Sequence, residues 1–315
     1  MQNRFDSATL DAIGATAFFN RELEAVKART YDIKYPELSA ANGDVVPIDT
    51  SAGPGAESIT YRQFDMTGIA KIISNYADDL PLVNIAGKEF TIAVKSIGTA
   101  YAWTLQEIRA ASMVGRGLAD RLAMAARRAN DYLVNKIAYL GDAESGLEGF
   151  LSHPNVPRLD LANDGDGGAS TFASKIDSPD LIIRDLNLME STIVDSTNGV
   201  ERPDTLLMPI EQYQLIASTP RADNSDTTIL EFFLKANVGI KTVKPVHELK
   251  GAGPGGVDVM IAYKNSPEHL TLEIPQPFEQ LPVQENNLSF KVPCHSRLGG
   301  LLIHYPLSVL VAEDI

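Results

Sequence analysis

The sequence predicts an α+β fold, on three observations. Residues 59–73 and 90–103 are rich in β-branched and aromatic side chains, with alternation clearest at Phe90, Ile92 and Val94 and again at Tyr101 and Trp103. Residues 104–140 carry one long helical repeat. Beyond Phe150, helical and strand patterns mix without a regular βαβ order.

Each element has its own justification. Ser7 can cap a helix over 7–28, whose apolar stripe is Leu10, Ile13, Ala17, Leu23 and Val26. From 31 to 57 periodicity fails, and Pro36, Pro47 and Pro54 with Gly43, Gly53 and Gly55 mark an irregular arm. Such an arm has no core of its own, so a neighbour's surface is expected to order it. The two β-rich segments are expected to pair antiparallel, around a long tip containing Asn75, Asp78, Asp79, Pro81, Asn84 and Gly87. A two-stranded ribbon is only marginally stable alone, so it should lie on something else.

The helix expected over 104–140 repeats Leu105, Ile108, Ala111, Gly115, Leu118, Leu122, Ala125, Ala129, Leu133, Ile137 and Leu140, a stripe to be buried. At the usual rise it is about 55 Å long. Gly115 and Gly117 are the places for a bend, and Gly141 ends the helix. Arg116, Arg121, Arg127 and Arg128 lie mostly off the stripe, as a solvated face or as inter-subunit ion pairs. A loop over 153–168 holds the run from Asn163 to Gly168. Helices are expected at 179–196, at 209–217 with Pro209 in the first turn, and at 228–236. Strands are expected at 205–208, 257–263, 270–274, 288–292 and 301–311.

A chain of 315 residues can bury a substantial core as two domains or one elaborated domain. Its 44% apolar and 22% charged residues are near the globular norm. A formal charge of −14 argues against a protein-lined nucleic-acid groove, because phosphate binding requires clustered Lys and Arg. With Cys294 alone, no internal disulfide can form. The first residues lack a signal-peptide pattern, and no apolar run approaches the ~20 residues of a membrane span.

Catalytic and metal patterns are poor. Asp164-Gly165-Asp166 lacks the twelve-residue calcium pattern and reads as a flexible turn. The glycine-rich 251–256 precedes a strand and lacks the donors of a phosphate loop. Cys294 and His295 are strand neighbours on opposite faces, which prevents a dyad. His153, His247, His269 and His304 lack zinc spacing and read as ordinary strand or loop histidines. No catalytic residue, metal ligand or cofactor is assigned.

The order of parts carries a resemblance. An arm, a two-stranded extended loop, and a long helix ending in Tyr139-Leu140-Gly141-Asp142 come first. Gly146-Leu147-Glu148-Gly149-Phe150 follows, then Pro203-Asp204-Thr205-Leu206-Leu207-Met208-Pro209 with a helix containing Tyr213. The last stretch runs from Arg297-Leu298-Gly299-Gly300 through His304-Tyr305-Pro306. Together they resemble the major capsid proteins of tailed bacteriophages, the Hong Kong 97 type of fold that encapsulins share. The likeness covers nearly the whole chain from about Asn42 and rests on order and spacing, without an invariant signature.

The resemblance implies an N-terminal helix and arm (1–58), an extended loop (59–103), a peripheral domain (104–169, completed by 270–301) and an axial domain (170–269, completed by 302–315). It implies a non-enzymatic shell protein, made in the bacterial cytoplasm and located in the virion. Its partners would be many copies of itself in pentamers and hexamers, a portal, a separate scaffold protein, and packaged double-stranded DNA only indirectly, with no membrane. The assembly contacts assigned are Asp78, Asp79, Lys88, Arg116, Arg121, Arg127 and Arg128. Some relatives weld subunits through an extended-loop Lys; Lys88 lies near that position, but no acceptor is identified, so an ordinary exposed Lys is expected. An encapsulin-type compartment stays open as an alternative, as does an α+β hydrolase using Asp or His residues gathered in a pocket.

Overall fold

The computed structural model describes residues 35–72, 81–114, 118–222 and 225–315. The chain divides into two units, Met1–Glu37 and Leu38–Ile315, and the architecture is that of the second. The helix expected at 7–28 lies outside the described residues, as do Asn75, Asp78, Asp79, Gly115, Arg116 and Gly117.

In chain order the first elements are β1 (Ile48–Asp49), β2 (Ser58–Thr67), β3 (Asn84–Ala93), β4 (Lys95–Thr104), α1 (Leu105–Val114) and α2 (Leu118–Leu140). Then come β5 (Arg158–Asp160), α3 (Pro179–Ser196), β6 (Thr205–Met208), α4 (Ile210–Ser218), α5 (Ile229–Ala236), β7 (Thr242–Pro245) and β8 (Val259–Tyr263). The chain closes with β9 (Leu270–Glu273), β10 (Gln276–Gln280), β11 (Gln284–Asn286), β12 (Ser289–Leu298), β13 (Gly300–Ile303) and β14 (Val309–Glu313).

A mixed five-stranded sheet, ordered β5-β14-β8-β6-β7, is the centre. Its three middle strands are buried along nearly their whole length, because side chains alternate between two apolar layers. Leu206, Met208, Met260, Ala262, Leu310 and Ala312 meet Ile182, Leu186, Met189 and Ile193 of α3 and Ile229 and Phe233 of α5. Leu207, Ile261, Tyr263, Val309 and Val311 face the other way, toward Val134, Ile137, Ala138 and Tyr139 of α2. The continuous apolar runs in these strands therefore serve two cores.

That second core also takes the three-stranded sheet β1-β9-β13 and part of the arm. Ala40, Val45 and Val46 are fully buried in it. The Ala40 N–H donates to Asn135 Oδ1 at 2.9 Å, and the Tyr263 hydroxyl donates to the Val45 carbonyl at 2.7 Å. This corrects the sequence expectation for residues 38–46, which their own chain orders without a neighbour. Apolar residues spaced by Pro and Gly carry no period, so their burial is invisible to pattern reading.

Two expected strands split. Residues 90–103 form β3 and β4 with buried Val94 between them: β3 pairs with β2, whereas β4 pairs over all ten residues with β12. The antiparallel ribbon is thus 58–67 with 84–93. The expected 301–311 strand breaks at a 3-10 turn, Pro306–Ser308, into β13 and β14 of different sheets. Pro306 has no N–H to give a ladder, which explains the break.

The 104–140 helix is described as α1 and α2, and its buried face differs from the expected stripe. Ala125 and Ala129 are exposed, as are Leu133 and Leu140, at 39% and 40%. Ile137 is buried as expected, but its buried neighbours are Ala126, Asn130, Val134, Asn135, Ala138 and Tyr139. The two stripes are one residue apart, and hydropathy favoured the wrong one because the buried stripe holds two asparagines. Both are satisfied: Ser296 Oγ donates to Asn130 Oδ1, and Asn135 donates to Glu248 while accepting from Ala40. Ala126 on this face packs over Val292 and Cys294 of β12.

Gly141 ends α2 as expected. At φ +69° it returns its N–H to the Ile137 carbonyl at 2.8 Å, a conformation that suits glycine. Among the described residues no helix is long and apolar enough to cross a membrane.

Candidate assembly surface

The β2–β3 ribbon has an anchored base and a bare end. At the base, Tyr61 stacks on Phe90 with ring centroids 5.0 Å apart and meets His304 edge-on at 4.8 Å. A Cβ on Gly299 would lie 3.0 Å from Glu273 Cβ and 3.3 Å from Ile59 Cδ1, so glycine lets the ribbon sit close. Burial, and secondarily the Glu148 carboxylate, push the Tyr61 hydroxyl above its ordinary pKa.

Further out, cross-strand pairs hold the ribbon: Thr60 with Thr91 at 2.8 Å and Arg62 with Glu89 at 2.8 Å. Both are solvent-exposed and worth little each. Toward the end the side chains become apolar while exposure rises. Phe64, Met66, Ile69, Val83 and Ile85 are each at least 60% exposed, and Leu82 is 92% exposed. Met66, Ile69, Ala70, Pro81 and Val83 line a shallow groove of about 580 Å³. Exposed apolar surface of this kind is where proteins commonly meet partners.

The assigned contact residues separate. Lys88 lies on β3 with Nζ 4.7 Å from the Phe90 ring centroid. Arg127 is exposed and reaches Asp131 one turn on at 3.8 Å. Arg121 is exposed and Arg128 half-buried, both on α2. Asp78, Asp79 and Arg116 are outside the described residues.

Two polar clusters were missed from sequence. Lys175, fully buried, donates to Asp185 at 2.6 Å and lies 3.3 Å from Asp164. Arg184 bonds both carboxylates. Arg184 first, then Lys175, hold the Asp164 carboxyl down to about 2. Asp164, expected in a free turn, is therefore pinned to α3. The second cluster arises because β9 and β13 pair. The His304 N–H donates to the His269 carbonyl at 2.8 Å, and His269 Nε2 is 2.7 Å from Glu201 Oε2. Burial, then the neighbouring His269 imidazole, push His304 below its ordinary pKa.

Cys294 is buried and His295 points to the opposite face of β12, as alternation requires. Burial raises the Cys294 thiol. Among the described residues no group of three or more His, Cys, Asp or Glu side chains could hold a metal ion.

A family model described as major capsid protein matches residues 68–315. The chain belongs to the major capsid protein family. Solved structures share the fold of this capsid protein. The capsid of Myoviridae phage XM1 matches with a TM-score of 0.80 at 17% identity, covering 94% of this chain and 98% of that one. The capsid of a native GTA particle gives 0.62 at 10% identity, covering 95% and 98%. A virus-like particle from Pyrococcus furiosus gives 0.55 at 12% identity, covering 88% and 95%. A search of curated protein sequences returns no match. The capsid protein thus has the Hong Kong 97-like fold expected from its order of parts, and its role is to form a shell. An exposed apolar ribbon is the feature of the monomer that such a role explains.

Proposed function

We propose that this capsid protein closes in many copies, as pentamers and hexamers, into an icosahedral head around the double-stranded DNA genome of a tailed phage or prophage, catalysing no reaction. The bare apolar end of the ribbon carries the reading, since only another protein surface removes it from water. In this division of labour the ribbon, ending at Ala93, lies over a neighbouring subunit. The helices α1 and α2 with 270–301 form the peripheral domain, and 170–269 with 302–315 the axial one. Asp78, Asp79, Lys88, Arg116, Arg121, Arg127 and Arg128 serve as polar rim contacts. A net charge of −14 keeps the wall from gripping packaged DNA, so DNA is enclosed rather than bound. A portal and a separate scaffold protein complete the partners, and synthesis is in the host cytoplasm.

Electron microscopy of the purified protein, alone and with a co-expressed scaffold, tests this. Closed shells are expected. A protein that stays monomeric at every concentration refutes the proposal. Nuclease-protected DNA inside the particles is expected, whereas an enclosed enzyme would favour a protein compartment, a second reading supported by the likeness to the Pyrococcus particle.

A further inference from the structure

Sheet edges expose backbone N–H and C=O groups that can template pairing with another chain, and proteins blunt them by shortness, proline, charge or bulges. Most edges here are managed. β1, β5 and β11 have two or three residues, and β7 has four and ends in Pro245. β10 carries Pro277 and a register shift, and β13 is buried.

Among the described strands, β4 is the exception outside the ribbon. It pairs with β12 over ten unbroken positions, while β10 and β11 occupy the other side of β12. Its register shows which residues face the open side. The Leu105 N–H donates to the Leu288 carbonyl at 2.9 Å, in the same register as the strand. In an antiparallel ladder every second residue bonds its partner, so the odd-numbered residues of β4 address β12. Ser96, Gly98, Ala100 and Ala102 therefore turn their N–H and C=O groups outward. The next outward N–H, that of Thr104, is capped by the Glu107 carboxylate at 2.8 Å. All four outward residues are exposed, and their side chains are small, with nothing within 4 Å of a Cβ built on Gly98. No charge, proline or bulge interrupts them.

The ribbon has the complementary need. The Val94 N–H donates to Glu57 O at 2.9 Å in the β2–β3 register, which turns Ser58, Thr60, Arg62, Phe64 and Met66 of β2, and Ile85, Gly87, Glu89, Thr91 and Ala93 of β3, outward. Two strands alone are marginal, and both are ten residues long, like β4. Within one chain β3 cannot fold back on β4, because Val94 alone separates them and a reversal takes at least about two residues. We infer that the free edge of β4 receives the β2–β3 ribbon of a second copy by strand addition, making one sheet continuous across the subunit boundary.

This rests on the shell reading, and wild-type assembly is the control that separates the two. Ala100→Pro removes one outward N–H and leaves the β12 ladder whole, whereas Ala100→Val keeps that N–H. Shells are expected from wild type and Ala100→Val and lost with Ala100→Pro, with unchanged circular dichroism of the monomer. Should Ala100→Pro fail to fold, disulfide trapping decides instead: Ala100→Cys is combined in turn with Phe64→Cys and Gly87→Cys in a Cys294→Ala background. A ladder of covalent multimers from assembled shells is expected with one of the two pairs. Normal shells from Ala100→Pro, shells in which neither pair cross-links, or a homotypic link through Cys at position 100 alone would overturn the inference. If wild type forms no shells, the failure belongs to the shell reading.

Discussion

The central sheet β5-β14-β8-β6-β7 and the ribbon β2–β3 are made of similar residues and treat water in opposite ways. Leu206, Leu207, Met208 and Met260 are fully buried between two layers, whereas Met66, Val83 and Ile85 stand in solvent. Nothing in β-propensity separates them, because propensity reports fit to a pleated surface and not which side is covered. The central sheet spends its apolar surface on the stability of one molecule. The ribbon keeps its own for contacts between molecules.

That contrast can be broken by mutation. The largest loss is expected from Phe172→Ala, which opens a cavity in the layer beneath α3 and should cost ~3–5 kcal/mol in denaturant unfolding of the monomer. Asp185→Ala should cost about as much, ~3–5 kcal/mol, because it leaves the buried Lys175 without its closest counter-charge. A loss below about 1 kcal/mol would show that Asp164 alone can hold Lys175. Gly299→Ala acts where the base of the ribbon meets β9: overpacking against Ile59 and Glu273 should cost about 1–3 kcal/mol and also shift the ribbon, read as faster proteolysis near Ser58. The double change Ile69→Ser with Leu82→Ser should move monomer stability by no more than about 0.5 kcal/mol while abolishing shells. A collapse of monomer stability in that variant would end the comparison.

Acid sharpens the same contrast. Asp164 titrates lower in the folded chain than in the unfolded one, so the unfolded state takes up the proton first. Its stabilising contribution is complete above about pH 4 and lost as pH falls toward about 2. An Arg184→Gln variant, monitored by thermal unfolding across that range, should show a flatter decline than wild type.

Much of the fold was legible in the sequence. The α3 boundaries, the buried Thr205–Met208 strand and the stop at Gly141 follow from an apolar helical stripe, a short apolar run between turn residues and a glycine at the helix end, all local signals. An antiparallel ribbon was also readable, from two β-rich segments around a turn-rich tip, although its second strand lies at 84–93. The buried face of α2, the split at Val94 and the Lys175 cluster were not. Each depends on contacts that hydropathy patterns do not report: Ser296 satisfying Asn130, β12 capturing β4, and α3 bringing Asp185 to a lysine ten residues earlier.

What the amino-acid order determined by itself was the helices beyond residue 104, most of the longer strands and a ribbon with a turn-rich tip. Periodicity and caps act within a few residues of chain. Only tertiary structure decided which of α2's two stripes is inside, that residues 38–46 belong to their own core, and that β4 is a long open edge. Those outcomes turn on register and on burial of polar groups beside partners far along the chain, which no local pattern encodes.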